Sequence, residues 1–327
     1  MPYILDVKDR KILAELDRDA RQSNSQIAKN VRLSKEVVAY RINRLMQEGV
    51  IIRFHTIVNY FRLGISKFKL YLRLTNADKQ KCEEIATYFY KHHKTEWVGL
   101  CTGRWDLIVG FLVPNVNEFD DEILAVLNRF SSYIQEKAMT TTVYLAHSTR
   151  SFLQEKERST VVYHTSKDIQ ITIDELDTEV LRYITNNARM PITDLAKRMH
   201  TTPRTIQYRL RELERKKIIL GYKAHLDARV VGRIFCKVII YLSNVTEVKL
   251  KEFIAYASSL SGAIWPQRVM GAWDFELDIE AESYDQFQDM LLNLKERFPD
   301  IIKNHEFCIQ SKEFKLDFFP GCYPAVK

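Results

Sequence analysis

The feature that most constrains this chain is a copy of itself. Asp6, Asp9, Ala20, Arg21, Ala28, Lys29, Tyr40, Arg41, Leu45, Ile51, Gly64, Gly103, Trp105, Asp106, Phe119 and Phe130 all recur 168 residues later, as Asp174, Asp177 and so on to Phe298. One register held from residue 6 to about 149 leaves no room for an insertion, so the two copies must fold alike. At 327 residues the chain is also too long for a single core. A hydrophobic content of 46% with 11% aromatics excludes a disordered chain.

Each copy divides in two. Residues 8–18 place Ile12, Leu13 and Leu16 at helical spacing. Residues 23–31 open with Ser23 and Gln26, a capping-box pattern. Ser34 is a good N-cap for a third helix that runs to about Glu48 and stops at Gly49. Three short helices with a tight turn before the last make a helix-turn-helix, and the second copy repeats it with Thr202 as N-cap and Pro203 in the first helical position. The stretches VIIRFHTIV and IILGYKAHL that follow alternate enough to predict a short hairpin wing in each copy.

The rest of each copy reads strand, helix, strand, strand, helix, strand. Phe68, Leu70, Leu72 and Leu74 alternate with Lys69, Tyr71 and Arg73, and helices near 78–91 and 116–130 separate this strand from the others. That order is ferredoxin-like βαββαβ. The fold class is therefore α+β: two tandem copies of a winged helix-turn-helix followed by a βαββαβ domain. The heads are placed at 1–60 and 173–229, the α+β domains at 64–149 and 232–317, a linker at 150–172 and a tail at 318–327. The linker lacks Gly and Pro, which predicts partial order against one of the domains.

Net charge is +7, and residues 1–60 and 174–230 each carry +4, so the basic excess belongs to the two heads. A localised excess is the footprint of a polyanion such as double-stranded DNA. On the third helix Val38, Ile42 and Leu45 share one arc and should face the core, leaving Glu36, Tyr40, Asn43, Arg44 and Gln47 outside. In the second copy Ile206, Leu210 and Leu213 face inward and Arg204, Tyr208, Arg211 and Arg215 outward. Helix N-termini enter the major groove first. The candidates at the base edges are Lys35, Glu36 and Tyr40, with Arg204, Gln207 and Tyr208, and Ser34, Asn43 and Thr202 are further DNA-binding candidates. Arg44, Arg211 and Arg215 are placed on phosphates. The plainer reading is that these charges solvate a surface helix.

A second paired motif is Gly103-Arg104-Trp105-Asp106 and Gly271-Ala272-Trp273-Asp274. On chemistry alone it reads first as a hairpin turn, with Gly for geometry, Trp for packing and Asp for a local hydrogen bond. An acid beside an aromatic ring is also suited to hold an ammonium group. The third strands differ between copies. Ile108, Gly110 and Leu112 become Glu276, Asp278 and Glu280, an acidic ladder that would complement Lys69 and Arg73 if the two domains pair within a chain or crosswise between chains.

With these motifs in order, from the Leu-Asp and Asp-Ala-Arg of the head to the Gly-x-Trp-Asp of the second domain, each copy closely resembles the leucine-responsive regulatory protein (Lrp/AsnC, or feast/famine) family. The resemblance implies a transcriptional regulator, no enzyme, whose second domain, called RAM, assembles a homo-oligomer and binds an amino-acid effector between subunits. It places Gly103, Trp105 and Asp106, and Gly271, Trp273 and Asp274, at that effector loop. The fusion itself is unusual, and Met190-Pro191 and Thr201-Thr202 depart from the family's usual residues. The alternative is an enzyme: sirohaem decarboxylases are similar in fold and include fused pairs. Their resemblance implies His and Arg near the second and third strands, where this chain has no His and only Arg104 and Arg268.

No metal or cofactor is expected. Cys82, Cys101, Cys236, Cys308 and Cys322 are scattered, without a Cys-x-x-Cys pair. A charged N-terminal stretch and the lack of any long apolar run predict a cytoplasmic protein without membrane contact.

Overall fold

The computed structural model describes residues 2–153 and 162–321. The first head is built from α1 (Val7–Arg18), α2 (Asn24–Val31) and α3 (Lys35–Gln47). Each begins at a side chain that accepts an otherwise unpaired amide: Asp6 from Asp9, Ser23 from Gln26 and Ser34 from Val37. The reciprocal half of the capping box is not made, because the Gln26 side chain donates to Asn30 instead. Gly49, at φ +72, ends α3 in a conformation that a side chain would resist.

The chain continues through β1 (Ile51–Val58), β2 (Ser66–Leu74), α4 (Lys79–Lys91), β3 (Thr95–Gly103), β4 (Leu107–Val113), α5 (Val116–Phe130) and β5 (Ile134–His147). A short β6 (Val162–Thr165) precedes the second copy. There follow α6 (Glu175–Thr185), α7 (Ile192–Arg198), α8 (Pro203–Arg215), β7 (Ile219–Leu226), β8 (Ile234–Leu242), α9 (Glu247–Ser259), β9 (Ala263–Gly271), β10 (Phe275–Ala281), α10 (Tyr284–Arg297) and β11 (Ile302–Leu316). Pro191 heads α7 without a side-chain cap, so that helix relies on packing.

The expected hairpin wings do not form. β1 instead pairs antiparallel with β7 of the other copy, with Phe54 opposite Ala224 and Thr56 opposite Tyr222. The first stretch carries no turn residue, and Gly221 of the second lies within the paired strand, opposite Ile57. A lone strand would leave an edge unpaired, and each copy's strand completes the other's. The two heads consequently share one core, in which Leu16 and Leu45 belong to the same apolar cluster as Leu181 and Leu213.

The remaining strands close on themselves. Their order is β2-β4-β3-β11-β8-β10-β9-β5, and β5 pairs back to β2, making an eight-stranded ring with β6 added on β5. The copies meet at two seams, β3 with β11 and β5 with β9. Outside, α4 and α5 cover the Leu70, Leu72 and Val109 face of the first copy, and α9 and α10 cover the matching face of the second. Inside, Tyr71, Trp97, Trp105, Ile239 and Trp273 fill the ring. Intramolecular pairing of the two α+β domains is thus built into the sheet.

The acidic ladder meets its partners inside this ring, with one correction. Lys69 reaches Glu276, but Asp278 pairs with Lys237 of its own copy and Glu280 with Arg150. Arg73, expected beside Lys69, is exposed, opposite Glu136 of β5 and away from the acidic ladder.

Between the copies, β6 pairs with β5, the Asn59 side chain donates to Asp168, and the Ile171 amide donates to the Arg62 carbonyl. The centre of the expected linker, 154–161, lies outside the described residues, as does Cys322. Phe318 and Phe319, assigned to a tail, are buried, and Phe318 stacks on His55 at 4.7 Å.

Candidate nucleic-acid interface and the loops of the ring

The two heads are related by a pseudo-twofold that individual hydrogen bonds express. Arg189 donates to the Ala20 carbonyl at 2.6 Å, and Arg21, its counterpart, donates to Ala188. The Ala20 amide donates to Tyr222 at 2.8 Å and the Ala188 amide to Phe54 at 3.0 Å. These reciprocal bonds fix α3 and α8 relative to each other through backbone, which a recognition surface needs.

On α3, Val38, Ile42 and Leu45 are buried, and Ser34, Lys35, Glu36, Tyr40 and Asn43 are exposed. On α8, Ile206, Leu210 and Leu213 are buried, and Thr202, Arg204, Gln207, Tyr208, Arg211 and Arg215 are exposed. The hydroxyls of Ser34 and Thr202 are engaged in capping their helices. Tyr40 and Tyr208, at matching positions, are 65% and 59% exposed, a large outlay of apolar surface that the head's own core does not cover. Among the described residues Arg204 and Arg211 have no ion-pair partner, whereas Arg215 pairs with Glu212 at 2.7 Å while staying exposed.

Arg44 departs from its expected place. It pairs with the buried Asp9 at 2.8 Å, and Arg41 bridges Asp9 and Asp6 at 2.7 Å. A buried carboxylate demands such partners, so these arginines tie α3 to α1. In the second copy Arg209 bridges Asp174 and Asp177, but Glu212 stands where Arg44 would be. Burial opposes the charge on Asp174, yet the Asp177 amide and Arg209 hold its carboxyl below the ordinary value. The sequence carried the signal for this clamp, since Asp6, Asp9 and Arg41 are all kept at the 168-residue offset.

The Gly-x-Trp-Asp loops lie at the two seams. Gly103 has φ +119, and a Cβ there would stand 2.7 Å from the Phe307 carbonyl of the other copy. Gly271, at φ +133, presses equally against the Met139 carbonyl. Asp106 accepts from the Leu74 amide at 2.7 Å and Asp274 from the Leu242 amide at 2.8 Å, so each acid, expected to make a local turn bond, instead ties its loop to the end of a strand 32 residues away in the same copy. Trp105 and Trp273 point into the ring with centroids 6.1 Å apart, and the Trp273 indole donates to Glu276 at 3.1 Å. Arg104 spans Glu136 and Glu306 and lies over Trp105 at 4.3 Å. Arg104 and the two tryptophans therefore join the copies, whereas each Asp braces its own.

Among the described residues no group of His, Cys, Asp and Glu is arranged to hold a metal ion, and no helix is long and apolar enough to cross a membrane.

The winged helix-turn-helix DNA-binding family matches residues 5–52 and 173–219, one stretch in each copy. The leucine-responsive regulatory protein of Rhizobium meliloti is 30% identical over 132 residues, covering 38% of this chain and 80% of that protein. An uncharacterized HTH-type transcriptional regulator of Pyrococcus horikoshii is 29% identical over 144 residues, 44% of this chain and 96% of its own length. Among solved structures, the siroheme decarboxylase NirDL matches 95% of this chain and 93% of its own, with a TM-score of 0.62 at 13% identity, a likeness of fold alone. With a DNA-binding head matched in each repeat and relatives one repeat long that are regulators by name, the chain belongs to the Lrp/AsnC family of helix-turn-helix transcriptional regulators, as a tandem of two copies.

Proposed function

We propose that one chain supplies both halves of a DNA-reading unit and binds a specific operator with two unequal heads. The observation that carries this reading is the pairing of β1 with β7, which joins the heads, together with the exposed faces of α3 and α8. In this reading Lys35, Glu36, Tyr40 and Asn43 of one head, and Arg204, Gln207 and Tyr208 of the other, meet base edges. Arg211 and Arg215 meet phosphates, and Arg44 positions α3 from behind. Selection of bound fragments from genomic DNA by the purified chain tests it. Enrichment of a common sequence supports specific reading, and uniform retention of all fragments would refute it.

The regulator answers a small effector in this reading, in keeping with the family, and chains associate further in solution. Since Asp106 and Asp274 each hold a backbone amide of their own copy and both tryptophans are buried inside the ring, effector binding at those loops would have to use their backbone or a partner chain's surface.

The second reading, a sirohaem decarboxylase, is favoured by the fold likeness to NirDL over nearly the whole chain. Against it, Arg104 is engaged by Glu136 and Glu306 on one seam, while Arg268 sits in β9 on the other, opposite Tyr144. Addition of sirohaem to the purified chain, followed by its Soret absorbance, separates the two. A saturable shift in that band would favour the enzyme.

A further inference from the structure

We infer that a cleft between the joined heads and the ring binds a small organic carboxylate with an apolar body, anchored on Arg53, at one site per chain. The cleft encloses about 430 Å³ and is walled by β1, β7, β9 and β11. Small-molecule sites run from roughly 300 to 1,000 Å³. Trp265, Phe235, Phe314 and Tyr90 give it apolar walls.

Its polar groups are unevenly satisfied. The His225 Nε2 lies 3.0 Å from Glu313, Arg150 is neutralised by Asp17 and Glu280, and Arg229 is neutralised by Asp227. Arg53 is not. Among the described residues it has no carboxylate within ion-pair distance; its Nη2 donates to the Leu316 carbonyl, and its buried Nε has no partner. Burial pulls its pKa down, and the nearby Glu313 and Asp317 only partly offset that. Those two acids already accept from His225 and Trp97, and from Asn186 and the Phe319 amide. Three further lining atoms, Asn186 Oδ1, Gln310 Oε1 and His225 Nδ1, are buried without a partner. Water could satisfy the amide oxygens, but a partly desolvated guanidinium gains most from an anion, and a planar carboxylate matches its fork. A ligand that offers a carboxylate to Arg53, a donor to Asn186 or Gln310 and an apolar body to the aromatic walls meets every demand at once.

The pseudo-twofold supplies an internal control. The positions equivalent to Arg53, His225, Gln310 and Glu313 are Gly221, Ile57, Thr142 and Leu145. On that side the space is occupied by the segment between the copies. His164 packs on Tyr60 at 4.6 Å and on Phe61 at 5.4 Å, and Asp168 accepts from Asn59 at 2.8 Å. Of two related clefts, one is filled by the segment between the copies, and the other is open and carries an unneutralised arginine. Arg53 lies on the strand that joins the heads, and Asn186 caps the end of α6, so an occupant would touch both heads and the ring. Any effect of the ligand on operator binding rests on the DNA-reading proposal, whereas occupancy of the cleft does not.

The test is calorimetric titration of the full chain, without DNA, with para-hydroxyphenylacetate and with tyrosol, which has the same ring and hydroxyl but no carboxylate. The expected result is saturable binding at one site per chain, about tenfold or more tighter for the acid. Arg53→Gln should weaken it about tenfold or more, and Arg53→Lys should recover part of the loss. Ile52→Trp, at an exposed cleft residue away from the guanidinium, should weaken it by filling space, which guards against misfolding of the Arg53 variants. Arg104→Gln, on the seam loop, should leave it unchanged. Equal binding of acid and alcohol, wild-type affinity in Arg53→Gln, or no binding of this acid and its shorter and longer homologues would each overturn the assignment. Because the titration contains no DNA, its failure leaves the reading of the heads standing.

Discussion

The Lys69 ammonium of the first copy lies 2.5 Å from the Glu276 carboxylate of the second, with both side chains fully buried inside the ring. Burial outweighs this one close carboxylate, and the Lys69 pKa falls to about 8. Lys237, which has Asp278 at 2.6 Å and Glu276 at 3.4 Å, is instead held above its ordinary value. Glu276 is therefore the shared counter-ion of two lysines. Glu276→Leu strands Lys69 and leaves Lys237 with Asp278 alone, and should lower the free energy of unfolding by about 3–5 kcal/mol. Adding Lys69→Met should recover part of the loss, since the pair then becomes apolar. Urea unfolding of the two single variants and the double closes the cycle, and additive effects would show that the two side chains are not energetically coupled.

Salt dependence should separate the arginines that face solvent from those that brace the head. Arg211→Ala with Arg215→Ala is expected to flatten the slope of log K against log salt by about 0.9 for each phosphate that an arginine no longer neutralises. Arg44→Ala should hardly change the slope. It should lower the stability of the first head by about 1–3 kcal/mol, because Asp9 then keeps only Arg41. Filter binding at a series of salt concentrations, paired with thermal unfolding, distinguishes the two effects. Equal slopes for all variants would remove Arg211 and Arg215 from the interface.

The parts that were legible in sequence are those fixed by local chemistry. Ser34 and Thr202 cap the recognition helices as their identity implies, and Leu70 and Leu72 face the helices because strand alternation leaves them no other side. What stayed hidden depends on distant partners. The eight residues of β1 specify a strand but not its mate, so the joining of the heads could not be read from them. Arg44 looked free because Asp9, which holds it, is 35 residues away. Trp105 and Asp106 suggested a ligand loop, and only the closed ring shows that the tryptophan faces inward and the acid holds the Leu74 amide. Arg53 was hidden for the opposite reason: a repeat marks the positions that match, and the counterpart of Arg53 is Gly221.

Acid should loosen the fold before it reaches the carboxylate range. His55, His147 and His164 are buried with depressed pKa values, that of His164 falling to about 3, chiefly through burial. The neighbouring charges reinforce this: Lys67 acts on His147 and His164, and Arg53, Lys223 and His225 act on His55, with Asp168 alone opposing at His164. An unfolded chain protonates each near pH 6.5, so below that the unfolded state binds more protons and stability falls as pH falls, until the folded pKa is reached. Each histidine adds a slope of about 1.4 kcal/mol per pH unit inside its window. His164→Phe, which keeps the packing against Tyr60, should reduce the slope between about pH 6.5 and 4 by that amount. Urea midpoints measured across this range give the answer, and an unchanged slope would mean that His164 is protonated in the folded chain.

The two heads should read different half-sites. At the leading turn of the recognition helix Lys35-Glu36 in one copy faces Pro203-Arg204 in the other, and Asn43 corresponds to Arg211. All but the proline present a side chain to solvent that the head does not use, since none of them has an ion-pair partner among the described residues. A carboxylate at the groove accepts from a cytosine amino group, while a guanidinium donates to guanine, so each head favours a different base at the equivalent step. Because β1 and β7 bind the heads into one unit, a single chain should cover both half-sites in a fixed order. The expected operator is therefore asymmetric, with a preference of about 1–3 kcal/mol for the correct base at each contacted step. Selection of random duplexes by the wild type and by Glu36→Arg separates this from symmetric binding: the variant should shift the enriched sequence toward a palindrome. Perfect palindromes selected by the wild type would show either that like heads pair between chains, or that Glu36 and Arg204 do not touch bases.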